Sequence, residues 1–447
     1  MRARLWTVIA AGVTGATLGI GVGLPLAFGD PSVLVVGAVG LAILAAVIRV
    51  VPQSERRRLA AIAGVAIGVR LAAAAILYYG SLAAGQGGFI TGDDAAYAKL
   101  ASGYLAWLRG DPVEPYLPPL WGGTAYLFGT FVYLETALFA VFGPTTLAMT
   151  GVNAVLSGLM ITLAYDITRR FAGPAPATFA AFAIALYPSL VLWSALNLKD
   201  ALVIALIVCA LWSWERMQER PRWLLLGLTA LLLLALESLR RYVFLGLAVL
   251  APLAVSFSAS RRRMAWTVAT LATSVMLVAV VVVTGGLGGA GGALAVGGLA
   301  DLERIRAAMA AGARTAFADP LGTAGGSDVL VLTRTLSYLP RGLAYTLFAP
   351  FPWDVHGLRD LATLPEMLLW YISLVAAPIA VYRAKRWRAT APLVLYVVGL
   401  LGLFVLVEGN VGTLFRHRAM VVPVVIILAA PAIVDAATRL QRRKQLA

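Results

Sequence analysis

Charge is what this sequence has least of: 13% of its 447 residues are Asp, Glu, Lys or Arg, against 61% hydrophobic, and the mean hydropathy is +0.87. So few charges cannot clothe a soluble domain, which leaves a polytopic membrane protein. Cysteine is nearly absent too. Cys209 alone permits no intrachain disulfide, and its place inside an apolar run argues against thiol chemistry. Histidine is limited to His356 and His417, with no HExxH and no Cys/His pairing, so metal chemistry has little support. A divalent ion on Asp93 and Asp94 stays open, although two adjacent carboxylates are not in themselves a site. The absence of a P-loop, and of a GxGxxG after a strand, argues against nucleotide-driven transport and against a soluble nucleotide-sugar fold.

What is present in their place is a succession of apolar runs, many near the roughly 20 residues that cross a bilayer as a helix. Arg-rich or Gly/Pro-rich breaks separate them. The formal net charge of +15 lies in these breaks, where it sets topology, so a nucleic-acid partner is rejected. The first run follows Arg2 and Arg4 as in a signal peptide, yet it continues to about Phe28 and reads as an uncleaved first helix.

With Arg2 and Arg4 in the cytoplasm, a helix over 5–27 leads out and one over 31–51 returns to Arg56-Arg57-Arg58. A third, over 59–83, delivers the segment 84–120 to the outer face. Charge then decides the next step. If 121–142 and 147–168 both crossed, Arg169-Arg170, the stretch 215–222 and Arg261-Arg262-Arg263 would lie outside; if 121–142 lies in the interface or re-enters, all three fall inside. Pro118-Pro119 and the aromatics Trp121, Tyr126, Phe128, Phe131 and Tyr133 suit an interfacial helix. The remaining spans fall at 147–168, 174–193, 200–214, 222–236, 242–258, 264–284, 362–382, 389–407 and 417–435. The expected fold is therefore all-α, with about twelve transmembrane helices plus interfacial helices in the first long outer loop.

Four parts follow: an N-terminal helix pair (1–58), a core (59–284) including the outer loop 84–146, an outer loop 285–361, and C-terminal helices (362–447). The third opens with Gly-Gly pairs between 285 and 298, then a short helix near 300–317 carrying Arg304, Arg306 and Arg314. Its proline- and aromatic-rich stretches around Tyr338-Leu339-Pro340-Arg341-Gly342 and Pro350-Phe351-Pro352-Trp353-Asp354 suggest a re-entrant or interface-lying segment.

The chemistry is concentrated where polar groups meet span ends. Phe89-Ile90-Thr91-Gly92-Asp93-Asp94-Ala95-Ala96-Tyr97 presents two carboxylates at the mouth of a span, Asp93 as a general base and Asp94 as its partner; a solvated turn is the plainer alternative. Glu237-Ser238-Leu239-Arg240-Arg241-Tyr242 places arginines on the side where they are normally avoided. An anionic ligand such as phosphate would compensate them, as would a pairing with Glu237. Arg416-His417-Arg418, at the mouth of the last helix, again suits an anion, with interface anchoring as the alternative. Lys199-Asp200 is a tight turn that carries little alone. Arg70 is costly inside a span and calls for a cavity or a partner. No inverted repeat supports a transporter.

In order along the chain, these pieces resemble the GT-C superfamily of membrane glycosyltransferases, which includes the protein O-mannosyltransferases and the aminoarabinose transferase of lipid A. The resemblance covers about 59–258: Arg70 in the first core helix, the pair Asp93-Asp94 with Tyr97 and an Ala-rich helix ending at Gly110, Pro118-Pro119-Leu120, Phe142-Gly143 and Arg169-Arg170. Pro350-Phe351-Pro352-Trp353 and Phe415-Arg416-His417-Arg418 resemble the bacterial members. Asp94 stands where many relatives have Glu, Lys199-Asp200 where many have Ser-Glu, and the helix pair 5–51 precedes the usual first core helix. The resemblance implies Asp93 as the catalytic carboxylate, with Arg240, Arg241, Arg416, His417 and Arg418 near a lipid phosphate. Tyr97, Lys199, Asp200, Arg341 and Arg70 are further candidates.

The expectation is a plasma-membrane glycosyltransferase with its site on the non-cytoplasmic face. It would move a sugar from a polyprenyl-phosphate donor to a hydroxyl of a glycan, lipid or protein acceptor, without a cofactor. A polysaccharide polymerase or ligase using a lipid-diphosphate donor, and a transporter or flippase, are the alternatives.

Overall fold

The computed structural model describes residues 2–112, 129–257, 262–284, 299–311, 313, 315–318, 328–354, 363–384 and 387–446. Pro118, Pro119, Leu120, Trp121, Tyr126, Phe128, the glycine pairs between 285 and 298, Arg314 and His356 lie outside the described residues. The described chain is all-α. Its helices are α1 (Arg2–Ala27), α2 (Ser32–Val47), α3 (Gln53–Ala83), α4 (Gly92–Arg109), α5 (Gly129–Phe142), α6 (Thr146–Ala172), α7 (Pro174–Leu186), α8 (Pro188–Ala195) and α9 (Asp200–Glu219). They continue as α10 (Trp223–Leu239), α11 (Arg241–Ser256), α12 (Arg263–Thr284), α13 (Leu299–Ala310), α14 (Asp328–Phe348), α15 (Leu364–Arg383), α16 (Trp387–Val407), α17 (Val411–Arg418) and α18 (Val422–Leu446). Among the described residues, seven helices are long and apolar enough to cross a membrane, or eight if the bent pair α7–α8 is one span. The expected dozen also counts shorter apolar helices such as α10 and α11, which this criterion sets apart.

Contacts between helices sort their ends into two groups. At the Arg-rich end Arg169 meets Glu55, Arg216 bonds Val50 O, Gln218 bonds Ala254 O, and Arg383 meets Asp435. The fully buried carboxylate of Asp166 gathers Arg170, Arg216 and the Trp212 indole N–H there, a buried acid compensated by two cations. At the other end Thr145 bonds Asp30, Asn153 bonds the carbonyls of Leu196 and Leu198, and Asp93 meets Arg416.

Helix α5 has both its ends at this second end: Thr130 bonds Ser238, and Thr145 just beyond Phe142 bonds Asp30. With both described ends on one side, the arginine clusters after it share the other end.

Two starting points differ from the sequence boundaries. Helix α3 begins at Gln53, directly after Pro52, so Arg56, Arg57 and Arg58 lie on the helix rather than before it. The expected span 174–193 is two helices bent by 50° between Leu186 and Pro188. Pro188 has no N–H, so the carbonyls at the end of α7 lose their helical partners, and Arg70 replaces them: its Nη1 donates to Ala185 O (2.7 Å) and its Nη2 to Ile184 O (3.4 Å). On the far side of the break, Glu366 Oε2 accepts from Ser189 N (2.7 Å) at the start of α8. A cation thus caps a helix C-terminus and a carboxylate an N-terminus, the polarity the helix dipole favours. Arg70 is fully buried and, among the described residues, has no ion pair; its part in the fold is to hold this break.

Within the loop expected to re-enter or lie in the interface, residues 328–348 form one continuous helix, α14, which runs through Pro340. Residues 315–317 lie antiparallel to 409–411, with Phe317 N on Gly409 O (2.9 Å) and Val411 N on Thr315 O (3.0 Å). A Cβ at Gly409 would come within 2.3 Å of Arg306 O, so only glycine fits this crossing.

Candidate active site

The first wall of the site is α4, and its geometry is set by its cap. The Thr91 hydroxyl accepts from Asp94 N, and the Asp94 carboxylate accepts from the N–H groups of Ile90 and Thr91 (2.9 and 3.0 Å), a reciprocal capping box. Asp94 is 2% exposed, so it serves the helix and does not reach the cavity, unlike its expected role beside Asp93. Fixing that cap turns Asp93, one residue earlier, outward with its side chain 54% exposed.

The second wall is the turn before α9. Asn153 Nδ2 holds it through Leu196 O and Leu198 O, while Asn197 Nδ2 donates to Glu135 Oε1 (2.6 Å) and to Asp94 O (3.3 Å), tying the turn to α5 and α4. Burial pushes the Glu135 carboxyl up to about 8. Through these bonds Lys199 and Asp200 are pinned opposite Asp93.

The third wall comes from the α10–α11 junction and from α17. Arg416 Nη1 lies 2.5 Å from Asp93 Oδ2, and its Nη2 and Nε lie 2.6 and 2.8 Å from Asp200 Oδ2. Arg240 Nη2 donates to the other oxygen of Asp200 (3.0 Å), and its Nη1 lies 3.0 Å from His417 Nε2. His417 Nδ1 lies 2.5 Å from Glu408 Oε1. Asp200, 1% exposed, is the hub of this chain of groups, which runs from Asp93 at the surface to Glu408 in the interior.

These walls enclose a cavity of about 540 Å³. Asp93, Tyr97, Lys199, Arg240, Arg416 and His417 line it, and Ala313, Thr315 and Asn410 close one side. Its guanidiniums are paired with acids, Arg240 with Asp200 and Arg416 with Asp200 and Asp93. Burial, aided by Arg240, pulls the Lys199 ammonium down to about 7. Burial works against the Arg416 charge, but Asp200 and Asp93 more than offset it and raise its pKa. Burial and the nearby Asp200 raise Tyr97, which stays a neutral phenol able to donate. Burial and then Arg240 lower His417, with Glu408 opposing them. Among the described residues no group of three His, Cys, Asp or Glu could hold a metal.

Of the residues singled out in the sequence, Asp93, Tyr97, Lys199, Asp200, Arg240, Arg416 and His417 come together. Arg241 does not: its guanidinium donates to Glu237 Oε1 at 2.7 and 2.9 Å, the local pairing that was its alternative reading. Arg418 points away, donating to Ala349 O (2.7 Å) and lying over the Trp370 ring. Arg341 is exposed, with its guanidinium 5.9 Å from the Tyr345 ring, and Arg70 caps α7. Glu408 and Asn197 lie in the same short stretches as expected site residues but were given no role of their own, and Glu135, inside the apolar run 121–142, was missed.

The model of the dolichyl-phosphate-mannose-protein mannosyltransferase family matches residues 130–284, a stretch that includes Lys199, Asp200 and Arg240. In fold the chain is similar to the archaeal oligosaccharyltransferase AglB from Archaeoglobus fulgidus, solved with an inhibitory peptide and a dolichol-phosphate. The TM-score is 0.53 at 16% identity, over 88% of this chain and 52% of that one. It is similar also to the A. fulgidus oligosaccharyltransferase in complex with Zn and sulfate, with TM-score 0.51 at 16% identity, over 86% and 50%. The chain spans about half the length of these structures. No curated protein matches it in sequence. The resemblance seen in the residues is borne out: this is a multi-pass membrane protein with a GT-C-like fold, matched over 130–284 by a mannosyltransferase family of that type.

Proposed function

We propose that the chain is a membrane glycosyltransferase that moves a sugar from a polyprenyl-phosphate donor to an acceptor hydroxyl on the non-cytoplasmic face of the plasma membrane. One observation carries the reading: Asp93 and Arg416, 323 residues apart, meet in one cavity that Arg240 also lines, with Asp200 pairing both arginines behind it. The cavity lies at the opposite end of α3 from Arg56, Arg57 and Arg58, so the positive-inside tendency favours the outer face for it.

Sugar transfer needs a base for the acceptor and a fixed cation for the leaving group. The acceptor oxygen attacks the anomeric carbon and gives its proton to Asp93. The bond from that carbon to the phosphate oxygen breaks, and polyprenyl phosphate departs with the electron pair. Arg240, Arg416 and Lys199 face the charge that develops on it. Inversion at the anomeric carbon follows from the GT-C resemblance. Arg416 also links the two roles, because a phosphate competing for its Nη1 releases Asp93 from its ion pair and leaves the carboxylate free to act as base.

The test is release of polyprenyl phosphate by purified protein in detergent, given a radiolabelled polyprenyl-phosphate sugar and a panel of glycan, lipid and peptide acceptors. Release that depends on an acceptor supports the reading. Movement of the intact donor across liposomes without sugar transfer would overturn it in favour of a flippase.

A further inference from the structure

His417 sits between two groups that dictate its tautomer. Arg240 Nη1 lies 3.0 Å from Nε2, and a guanidinium only donates, so Nε2 carries the lone pair. The ring proton is then on Nδ1, donated to Glu408 Oε1. The imidazole is neutral in this arrangement, yet the carboxylate it faces is 0% exposed, and the second oxygen of Glu408 has no hydrogen-bond partner. A buried carboxylate set against a neutral ring favours the imidazolium once the cation on the ring's other side is drawn off. The groups facing the ring are Arg240 from the α10–α11 junction, Tyr242 from α11, Asp200 from α9, and Glu408 and Phe404 from the end of α16; Lys199 and Arg416 line the same cavity.

We propose that a phosphate entering the cavity takes the Arg240 N–H now directed at His417, and that His417 then binds a proton from solvent at Nε2 and donates it to the phosphate. Donor binding thereby carries one proton into the site. This inference rests on the donor-phosphate reading above. A phosphate oxygen is a stronger acceptor for a guanidinium than an imidazole nitrogen is. The Nε2 left behind is buried and without a donor, and protonation turns it from an orphaned acceptor into a donor. Glu408 is a positioning residue here. It holds the ring by Nδ1 and stabilises the imidazolium without touching the phosphate.

The chain has two histidines, so nitrogen NMR of isotope-labelled histidine in a His356→Gln protein reads His417 alone. The expected result is a neutral ring protonated on Nδ1 in the free protein, converting to the doubly protonated form when polyprenyl phosphate is added near neutral pH. Glu408→Gln keeps an acceptor for Nδ1 but removes the charge, so the conversion should move to lower pH; a purely structural Glu408 would leave it in place. Affinity for polyprenyl phosphate should fall by up to about tenfold per pH unit as pH rises through the conversion, and lose this part of its slope in His417→Asn. Phosphate binding, seen as a shift of the phosphorus signal, with Nε2 still unprotonated would overturn the inference and leave the donor reading intact. No phosphate binding at all would remove both.

Discussion

Asp200 gives one oxygen to Arg240 and the other to Arg416 while it is itself 1% exposed, so it fixes two guanidinium groups that would otherwise repel across the cavity. Breaking such a buried pair costs roughly 3–5 kcal/mol. Asp200→Ala should therefore lower the thermal midpoint in detergent measurably as well as abolish transfer, whereas Asp93→Ala, which removes a half-exposed partner, should leave the midpoint nearly unchanged. Lys199 gives a different signature. With its ammonium drawn down to about 7, it is charged below that pH and loses its charge as pH rises through it, so its contribution to anion binding is present on the acid side and fades above. Polyprenyl-phosphate affinity should drop between pH 6 and 8, and Lys199→Arg, charged throughout, should flatten the Lys199 share of that drop; an unaltered slope would remove Lys199 from the binding site. Asp93 and Arg416 were legible in the sequence because each breaks hydropathy at a span end. Asp200 was legible only as a weak candidate, because an acid in a short turn looks like any solvated linker until the residue 216 positions later that pairs with it is brought alongside.

Helix breaks were the elements hardest to read. The run 174–193 is apolar throughout and nothing in its periodicity shows a bend, yet Pro188 removes one N–H and divides it into α7 and α8. Arg70, for which the sequence called for a cavity or a partner, finds its partners in the carbonyls that end α7. The two carbonyls it serves are buried, and leaving them without donors costs about 1–3 kcal/mol apiece. Arg70→Met should thus lower stability by a few kcal/mol, read as a lower midpoint in thermal unfolding, while the protein that remains folded keeps its affinity for polyprenyl phosphate. A loss of affinity without a loss of stability would place Arg70 in the site instead. The arginine cluster near the C-terminus shows the same kind of shift. Arg416, His417 and Arg418, read as the mouth of the last helix, sit on their own short helix α17, capped by Asn410 through Gly412 N, and the helical twist turns Arg416 and His417 to the cavity and Arg418 away.

On the scale of the whole molecule, the orientation turns on α5. Because both its ends stay at the cavity end, the arginine clusters that follow share one end with Arg56, Arg57 and Arg58, as charge balance in the sequence required. In a Cys209→Ser background, a membrane-impermeant maleimide applied to intact cells should modify Gln86→Cys, beyond the cavity end of α3, and spare Ser54→Cys at the Arg-rich end. The reverse pattern would put the cavity inside. In the proposed reaction the carboxylate meeting Arg416 is the base that activates the acceptor. The most direct measurement is the rate of polyprenyl-phosphate release by purified Asp93→Asn, with donor affinity measured on the same preparation. Release should fall by about 10²-fold or more, the scale of a general base, with affinity for the donor retained. Release at the unaltered rate, from folded protein that binds donor normally, would contradict it.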